Sequence, residues 1–409
     1  MKLTTHLLIL AACACRIVSA AQIEAFIGAR VIDGTGRAVI EKATILVRNG
    51  RIEAIGANVK VPFGARNIDV TGKTIIPGLI NAHGHVGDLS QLALYARYGV
   101  TTVFSLGGDK EIELRDKTRA QQQTPNLNRA RLFIAGPIPV SKTPEEGRKA
   151  VDANAAARTD IMKIRIDDQL GTAAAMTPDV YTAIIEQAHK DGLRMAVHVV
   201  KLADAKAVLK LGTEYIAHSV RDQEVDEETI GLLKKNNTFY CPTLMREVST
   251  FVYADAPAFL NDPFFLRDAN PAEAAKARAK DFQDSMRTNK AAQWYREHLP
   301  VAIRNLKKLE DSGVQIVMGT DTGVIYRFQG YFEHLELEYM TQAGFTPMQA
   351  IVAATSTPAK LLKQDDQFGT LQTGKWADML VLDANPLDDI KNTRKLNSVW
   401  IAGNPVPAK

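Results

Sequence analysis

Through the middle of the chain one unit recurs: an amphipathic stretch, a glycine, then a short apolar run. Gln91 to Tyr98 ends at Gly99 ahead of Val100 to Ser105, and Ala203 to Leu211 ends at Gly212 ahead of Tyr215 to His218. Val180 to Lys190, with Val180, Ile184 and Ala188 at helical spacing, ends at Gly192 before Arg194 to His198. Val301 to Asp311 leads to Gly313 before Gln315 to Met318. The three-to-four spacing predicts helices and the short apolar runs predict strands. A glycine just past a helix permits the left-handed turn that feeds the next strand. Helix–glycine–strand units tens of residues apart predict parallel strands with crossover helices. A unit count near eight fits a (β/α)8 TIM barrel. A doubly wound open sheet is the alternative, but no Gly-x-Gly-x-x-Gly opens these helices, so dinucleotide binding has no support.

Both ends of the chain change character. Phe26 to Val31 and Thr44 to Val47 are β-rich, Asn49-Gly50 marks a hairpin turn, and Arg51 to Ile55 follows it. Near the C-terminus Gly374-Lys375 turns into Met379 to Leu382, and Val399-Trp400-Ile401 precedes Gly403-Asn404. This predicts a small β-sandwich assembled from residues 21–76 and 368–409, enclosing a barrel over 77–367. Residues 246–300 break the rhythm with Pro257, Pro263, Pro271, many aromatics and the alanine-rich run Ala272 to Ala279. The segment is too long for a connection and is expected to form helices of its own. It follows the strand expected over Thr238 to Leu244, which in a barrel puts it over the active-site face. Its aromatic residues must pack on the barrel mouth, on their own helices or on a second subunit, the last implying a homo-oligomer. We read it as a lid.

Composition removes several function classes. Hydrophobic residues at 46% and charged residues at 23% exclude a disordered or fibrous chain. Fifty basic against 46 acidic residues leave +4, too thin a surplus to attract nucleic acid or an acidic membrane. At the N-terminus Lys2 precedes the apolar run Leu7 to Ala12, and Val18-Ser19-Ala20 supplies small residues for cleavage. Residues 1–20 therefore read as an export signal, too short to span a bilayer, and the protein is expected to be periplasmic or secreted. Leu10-Ala11-Ala12-Cys13 resembles a lipoprotein box, so anchoring through Cys13 is the alternative. Cys13 and Cys15 lie inside the signal, which leaves Cys241 and no internal disulfide after cleavage.

Four of the eight histidines end predicted strands. His83-Gly84-His85 follows Ile75 to Ile80, and side chains two apart on a strand share a side. His198 ends Met195-Ala196-Val197, and His218 ends Tyr215-Ile216-Ala217. Asp321 follows Ile316 to Thr320, and Lys163 lies in Ile161-Met162-Lys163-Ile164, where a charge is costly unless paired or neutralised. Each has an ordinary reading alone: core histidine, helix N-cap, snorkelling lysine. Together they occupy the strand ends where barrels keep active sites, and histidine with carboxylate fits a catalytic zinc-type centre. His6, His189 and His298 lack that placement, and His334, on the helical stretch Phe332 to Met340, reads as a surface or supporting residue. Arg165 shares a face with Lys163, Arg221 follows His218, and Arg246 follows the strand expected to end at Leu244. Each reads either as a grip for a substrate carboxylate or as a structural arginine. Tyr253, Phe264 and Tyr331 lie in or near the lid and are weaker candidates of the same kind.

The order His83-x-His85, Lys163, His198, His218, Asp321 resembles the amidohydrolase superfamily of metal-dependent hydrolases. Pro77 to His85, Asp160-Ile161-Met162-Lys163, Gly319 to Gly323 and Gly374 to Asp378 carry the likeness, which spans nearly the whole mature chain. Within the superfamily the chain is most similar to imidazolonepropionase-like and prolidase-like members. It departs at Asn81, where the family usually has aspartate, although an amide oxygen there can still orient a histidine. The resemblance implies two divalent metal ions, zinc by type. His83, His85 and Asp321 would hold one, His198 and His218 the other, with Lys163 bridging as a carbamate. Asp321, His218 and Lys163 would form the catalytic set, with Asp321 taking a proton from a shared hydroxide and delivering it to the leaving amine. The expected substrate is a small amide, most readily a dipeptide or N-acyl amino acid. Cyclic-amide or lactone hydrolysis is the alternative. A deaminase fits less well, because Val199-Val200-Lys201 follows His198 where superfamily deaminases tend to place a glutamate.

Overall fold

The computed structural model describes residues 22–409, so the export signal and the Cys13 alternative lie outside the described residues. The N-terminal segment forms β1 (Glu24–Val31), β2 (Ile40–Arg48), β3 (Arg51–Gly56), β4 (Arg66–Asp69) and β5 (Thr74–Pro77). The middle supplies β6 (Leu79–Gly84), β7 (Val100–Ser105), β8 (Arg131–Ile134), β9 (Met162–Arg165) and β10 (Met195–His198). It continues with β11 (Tyr215–Ala217), β12 (Phe239–Cys241) and β13 (Gln315–Ile316), and the C-terminus adds β14 (Met379–Leu382), β15 (Leu396–Ile401) and β16 (Asn404–Pro405).

Strands from both ends of the chain pair with each other. β14 runs antiparallel to β5 with Met379 opposite Pro77, giving the order β16-β15-β14-β5-β1-β2-β3 with β4 on β1. Strand pairing joins all of these strands in one continuous sheet, because β5 bonds to both β1 and β14. Phe26, Ile45, Ile75, Met379 and Trp400 pack together in it, with Trp400 edge-on to Phe26 at 4.8 Å.

The middle strands are parallel in two sets, β6-β7-β8 and β9 to β13 in sequence order. The Asp160 N–H donates to the Ile134 carbonyl at 2.9 Å, and the Ala82 N–H donates to the Met318 carbonyl at 2.9 Å, so backbone bonds link the two sets. This α/β arrangement is consistent with a TIM-barrel-like fold. The crossover helices include Ser90–Arg97, Pro178–Lys190 and Leu202–Lys210, close to the predicted spans. Gly99, Gly192, Gly212 and Gly313 all have positive φ, the left-handed turn the pattern requires.

The segment 246–300 does form its own helices, Pro271–Arg278 and Lys280–Thr288 among them. Its last helix, Lys290–Asp311, runs through Pro300 without a break, so the insertion merges into the crossover helix expected to begin at Val301. Of the three packing choices, its apolar residues take their own helices and the helix Tyr331–Gln342. Tyr253, Leu260 and Phe265 pack with Tyr98, Phe328, Tyr331 and Phe332. Phe265 meets Phe328 edge-on at 4.7 Å and Tyr331 at 5.2 Å. Phe265→Ala should cost about 3–5 kcal/mol in urea unfolding. A loss under about 1 kcal/mol would show that this cluster unfolds apart from the rest.

His334 is buried, not at the surface. Its Nε2 lies 2.8 Å from the Tyr98 carbonyl and its Nδ1 3.0 Å from Thr393 Oγ1. Burial pushes its imidazolium down to about 3 from the ordinary 6.5. The unfolded chain therefore binds a proton that the folded chain refuses. Stability should be lost as pH falls from about 6.5 towards about 3, by up to about 1.4 kcal/mol per unit, with no effect above that window. His334→Gln should flatten the acid limb of Tm against pH, and an unchanged slope would assign that limb to other groups.

Candidate active site

The strand ends bring the six predicted residues together. His83 lies in β6 with His85 just beyond it, Lys163 lies in β9, His198 closes β10, His218 follows β11 and Asp321 lies beyond β13. Lys163 Nζ is 2.7 Å from His83 Nε2. Asp321 Oδ1 is 2.7 Å from His85 Nε2 and 3.3 Å from His83 Nε2. The His218 ring lies 4.7 Å from that of His83 and 4.1 Å from that of His198. All but the half-buried His85 are buried.

Local backbone strain sets these positions. His218, Thr243 and Asp321 have φ of 72°, 46° and 59°, the left-handed region that non-glycine residues occupy at a cost of about 1–3 kcal/mol each. Specific bonds hold them there. The Asp321 N–H donates to the His83 carbonyl at 2.6 Å, the His218 N–H donates to the Cys241 carbonyl at 2.9 Å, and Thr243 Oγ1 lies 2.7 Å from His218 Nδ1. Close packing adds a requirement at Gly319, where a Cβ would sit 2.5 Å from Cys241 Sγ and 2.8 Å from the His83 backbone nitrogen.

Burial sets the protonation states. It drives His83 down to about 3, with Lys163 adding to the effect, and holds His198 and His218 well below the ordinary value. It also lowers Lys163 to about 8 against the opposing pull of Asp321. Burial works to raise Asp321, but the Arg327 charge and the bonds to His83 and His85 outweigh it and hold the carboxyl well below its usual range. His83, His198 and His218 thus offer neutral imidazoles and Asp321 an ionised carboxylate, the forms that bind a divalent cation. His83, His85 and Asp321 present ligand atoms all within 4.8 Å of one another. His83 Nδ1 and His198 Nε2 are buried without hydrogen-bond partners, which fits nitrogen donors awaiting a ligand.

The substrate candidates separate. Arg246 Nε lies 3.4 Å from Asp321 Oδ2, and its Nη1 is 3.2 Å from the Tyr295 hydroxyl. Arg221 is buried, donating to the Ser219 carbonyl at 2.7 Å and lying 3.1 Å from Glu247, with Nε and Nη2 unpartnered. Arg165, half-buried, lines a cavity of about 370 Å³ with Ile138, Val140 and Met176 and forms no ion pair with the six residues. The Tyr253 ring sits in the insertion's aromatic cluster, and its hydroxyl donates to the Tyr326 carbonyl. Phe264 and Tyr331 pack in the same cluster. Sequence reasoning missed Arg327, which pairs with Asp321, and Asp167, 3.4 Å from His198 Nε2. Both lie in irregular loops where no periodicity marks them. Glu111 was also missed; its carboxylate accepts from Ser105 Oγ at 2.5 Å and from the Gly136 N–H at 2.8 Å.

Buried imidazoles, a lysine and a carboxylate at the ends of parallel strands are what an α/β metal-dependent hydrolase requires. The Amidohydrolase family model matches residues 74–406, and the chain belongs to that family of enzymes. It is 26% identical over 281 residues to ochratoxinase of Aspergillus niger, covering 66% of this chain and 51% of that protein. The chain thus spans about half the length of the curated relatives it matches first. A candidate prolidase from Bifidobacterium longum superposes with a TM-score of 0.77 at 28% identity, covering 95% of each chain. A Xaa-Pro dipeptidase with methionine bound in its active site superposes with a TM-score of 0.76 at 22% identity, over 94% of this chain and 99% of that one, a likeness of fold. No helix among the described residues is long and apolar enough to cross a membrane.

Proposed function

We propose that this enzyme hydrolyses the amide bond of a small substrate with a free carboxylate, a dipeptide or N-acyl amino acid, after export from the cytoplasm. The observation that carries the reading is Arg246, whose guanidinium stands 3.4 Å from the carboxylate of Asp321 at the edge of the histidine cluster. The prolidase and dipeptidase likenesses and the ochratoxinase relative support it. In this reading the parallel strands close as a (β/α)8 barrel over 77–367, residues 246–300 form its lid, and the continuous sheet of 21–76 with 368–409 folds over on itself as the supporting sandwich.

His83, His85 and Asp321 would hold one divalent ion, His198 and His218 a second, and Lys163 would stand between them as a carbamate. When bound, zinc ions supply a polarised carbonyl and a water acidic enough to ionise near neutrality. Asp321 Oδ1 accepts a proton during attack and returns it to the departing nitrogen. Arg246 grips the substrate carboxylate through charge-assisted bonds and fixes the amide over Asp321. The lid excludes bulk water.

Paired substrates test this reading: dipeptides and N-acyl amino acids with a free or an amidated carboxyl, offered to zinc-loaded protein beside a set of lactones. Free-acid substrates should be favoured in kcat/KM on the order of 10- to 100-fold, and Arg246→Met should erase that preference. Equal rates on free and amidated forms, or hydrolysis of lactones alone, would overturn it.

A further inference from the structure

Two carboxylates stand behind the histidine cluster without touching it. Glu333 and Glu336 lie three residues apart on the helix Tyr331–Gln342, hence on one face, and both are fully buried. Core-facing helix positions are ordinarily apolar, and a buried carboxylate is costly unless its acceptor sites are filled.

The partners of these two residues lead to different parts of the site. Glu333 Oε1 accepts from Asn81 Nδ2 at 2.6 Å, from Thr322 Oγ1 at 2.7 Å and from Thr320 Oγ1 at 3.0 Å. Asn81 Oδ1 in turn accepts the His83 N–H at 2.9 Å, while Thr320 and Thr322 flank Asp321 in the chain. Tyr95 closes the network, its hydroxyl 2.7 Å from Thr322 Oγ1. Glu336 accepts the N–H groups of Leu244 at 2.8 Å and Met245 at 2.7 Å. Those two residues follow Thr243, the left-handed residue whose hydroxyl meets His218 Nδ1.

We propose that Glu333 and Glu336 are positioning residues that set the two halves of the metal centre separately. Glu333 acts on His83 and Asp321 through Asn81, Thr320 and Thr322, and Glu336 acts on His218 through Thr243. The inference rests on the ligand assignment above. It also explains Asn81. An amide donates to Glu333 with one atom and accepts from His83 with the other, whereas an aspartate there would set a second carboxylate against Glu333. The asparagine and the distant glutamate are one device, with the carboxyl group moved from the strand to the helix.

Zinc stoichiometry and affinity, measured by chelator competition without substrate, test this directly. Asn81→Asp and Glu333→Gln should each weaken one zinc equivalent about 10- to 100-fold, the usual effect of removing a partner behind a ligand. The double variant should return to within about threefold of the parent, because the two exchanges together restore one carboxylate facing one amide. Glu336→Gln should weaken the other equivalent and spare the first. If Glu333→Gln does not fold, Thr322→Val cuts the bond between Glu333 and the residue after Asp321 and should weaken the same zinc equivalent. Additive losses in the double variant would overturn the proposal, as would lower Tm with both zinc equivalents unchanged. A parent protein that binds two zinc ions but hydrolyses no amide would defeat the proposed function and leave this inference standing.

Discussion

Replacing Lys163 by alanine is expected to lower kcat/KM on the order of 1,000-fold or more, with part of the loss restored by short carboxylic acids. The lysine is buried, with its Nζ 2.7 Å from His83 Nε2. Burial brings its ammonium down to about 8, so a usable share is the neutral amine near pH 7. Only that form attacks carbon dioxide. In the proposed carbamate a nitrogen–carbon bond would form, one carbon–oxygen π pair would move onto oxygen, and one proton would leave the nitrogen. A neutral amine among the histidines would thus become an anion, the charge that two divalent ions would require. In the alanine variant the space of the lost side chain opens beside His83, where acetate or propionate presents the same two oxygens. Initial rates against acid concentration would follow a saturating rise. Full activity in the untreated variant would remove Lys163 from the mechanism.

The strand ends were legible because two signals coincided there. Apolar runs and the glycines before them fixed where β7, β10 and β11 begin, and the residue closing each run fixed what faces the site. Where one signal was missing, the reading drifted. The strand expected over Thr238 to Leu244 stops at Cys241, because Pro242 has no N–H to donate and Thr243 turns left-handed. The aromatic character of Tyr253 says that its ring is buried, and not against what. The sheet's continuity across β5 and β14 depends on a pairing between segments some 300 residues apart, which no local pattern encodes. The helix Tyr331–Gln342 hid its role most completely. Glu333, His334, Glu336 and Glu338 alternate with Phe332, Leu335, Leu337 and Tyr339, so its sequence shows no polar face to set against an apolar one. All four of those polar residues are buried, and their partners lie on other elements.

Asp321→Asn should act in two places at once. Activity should fall by about 10²- to 10⁴-fold, because an amide neither accepts the proton in transit nor returns it. The second effect needs no substrate and no metal. Asp321 is the carboxylate against which Arg327 and Arg246 are set, with Arg246 Nε 3.4 Å from Oδ2. An asparagine of the same shape leaves Arg327 facing a neutral group in a mostly buried site, while Arg246 keeps Glu247 at 3.3 Å. Removing one partner of such a pair typically costs about 3–5 kcal/mol, more than the pair itself contributes. Urea unfolding of metal-free Asp321→Asn should therefore show a loss of that order. Adding Arg327→Met to the variant should recover part of the loss, since it removes the charge left without a partner. The sign of that coupling is the decisive quantity. If the two substitutions destabilise additively, Arg327 is held by other contacts, such as its 3.1 Å bond to Ser249 Oγ, and Asp321 is free of a structural role. If they compensate, one carboxylate both moves the proton and neutralises the arginines, and no substitution at Asp321 can abolish the first role while leaving the second intact unless it keeps the charge.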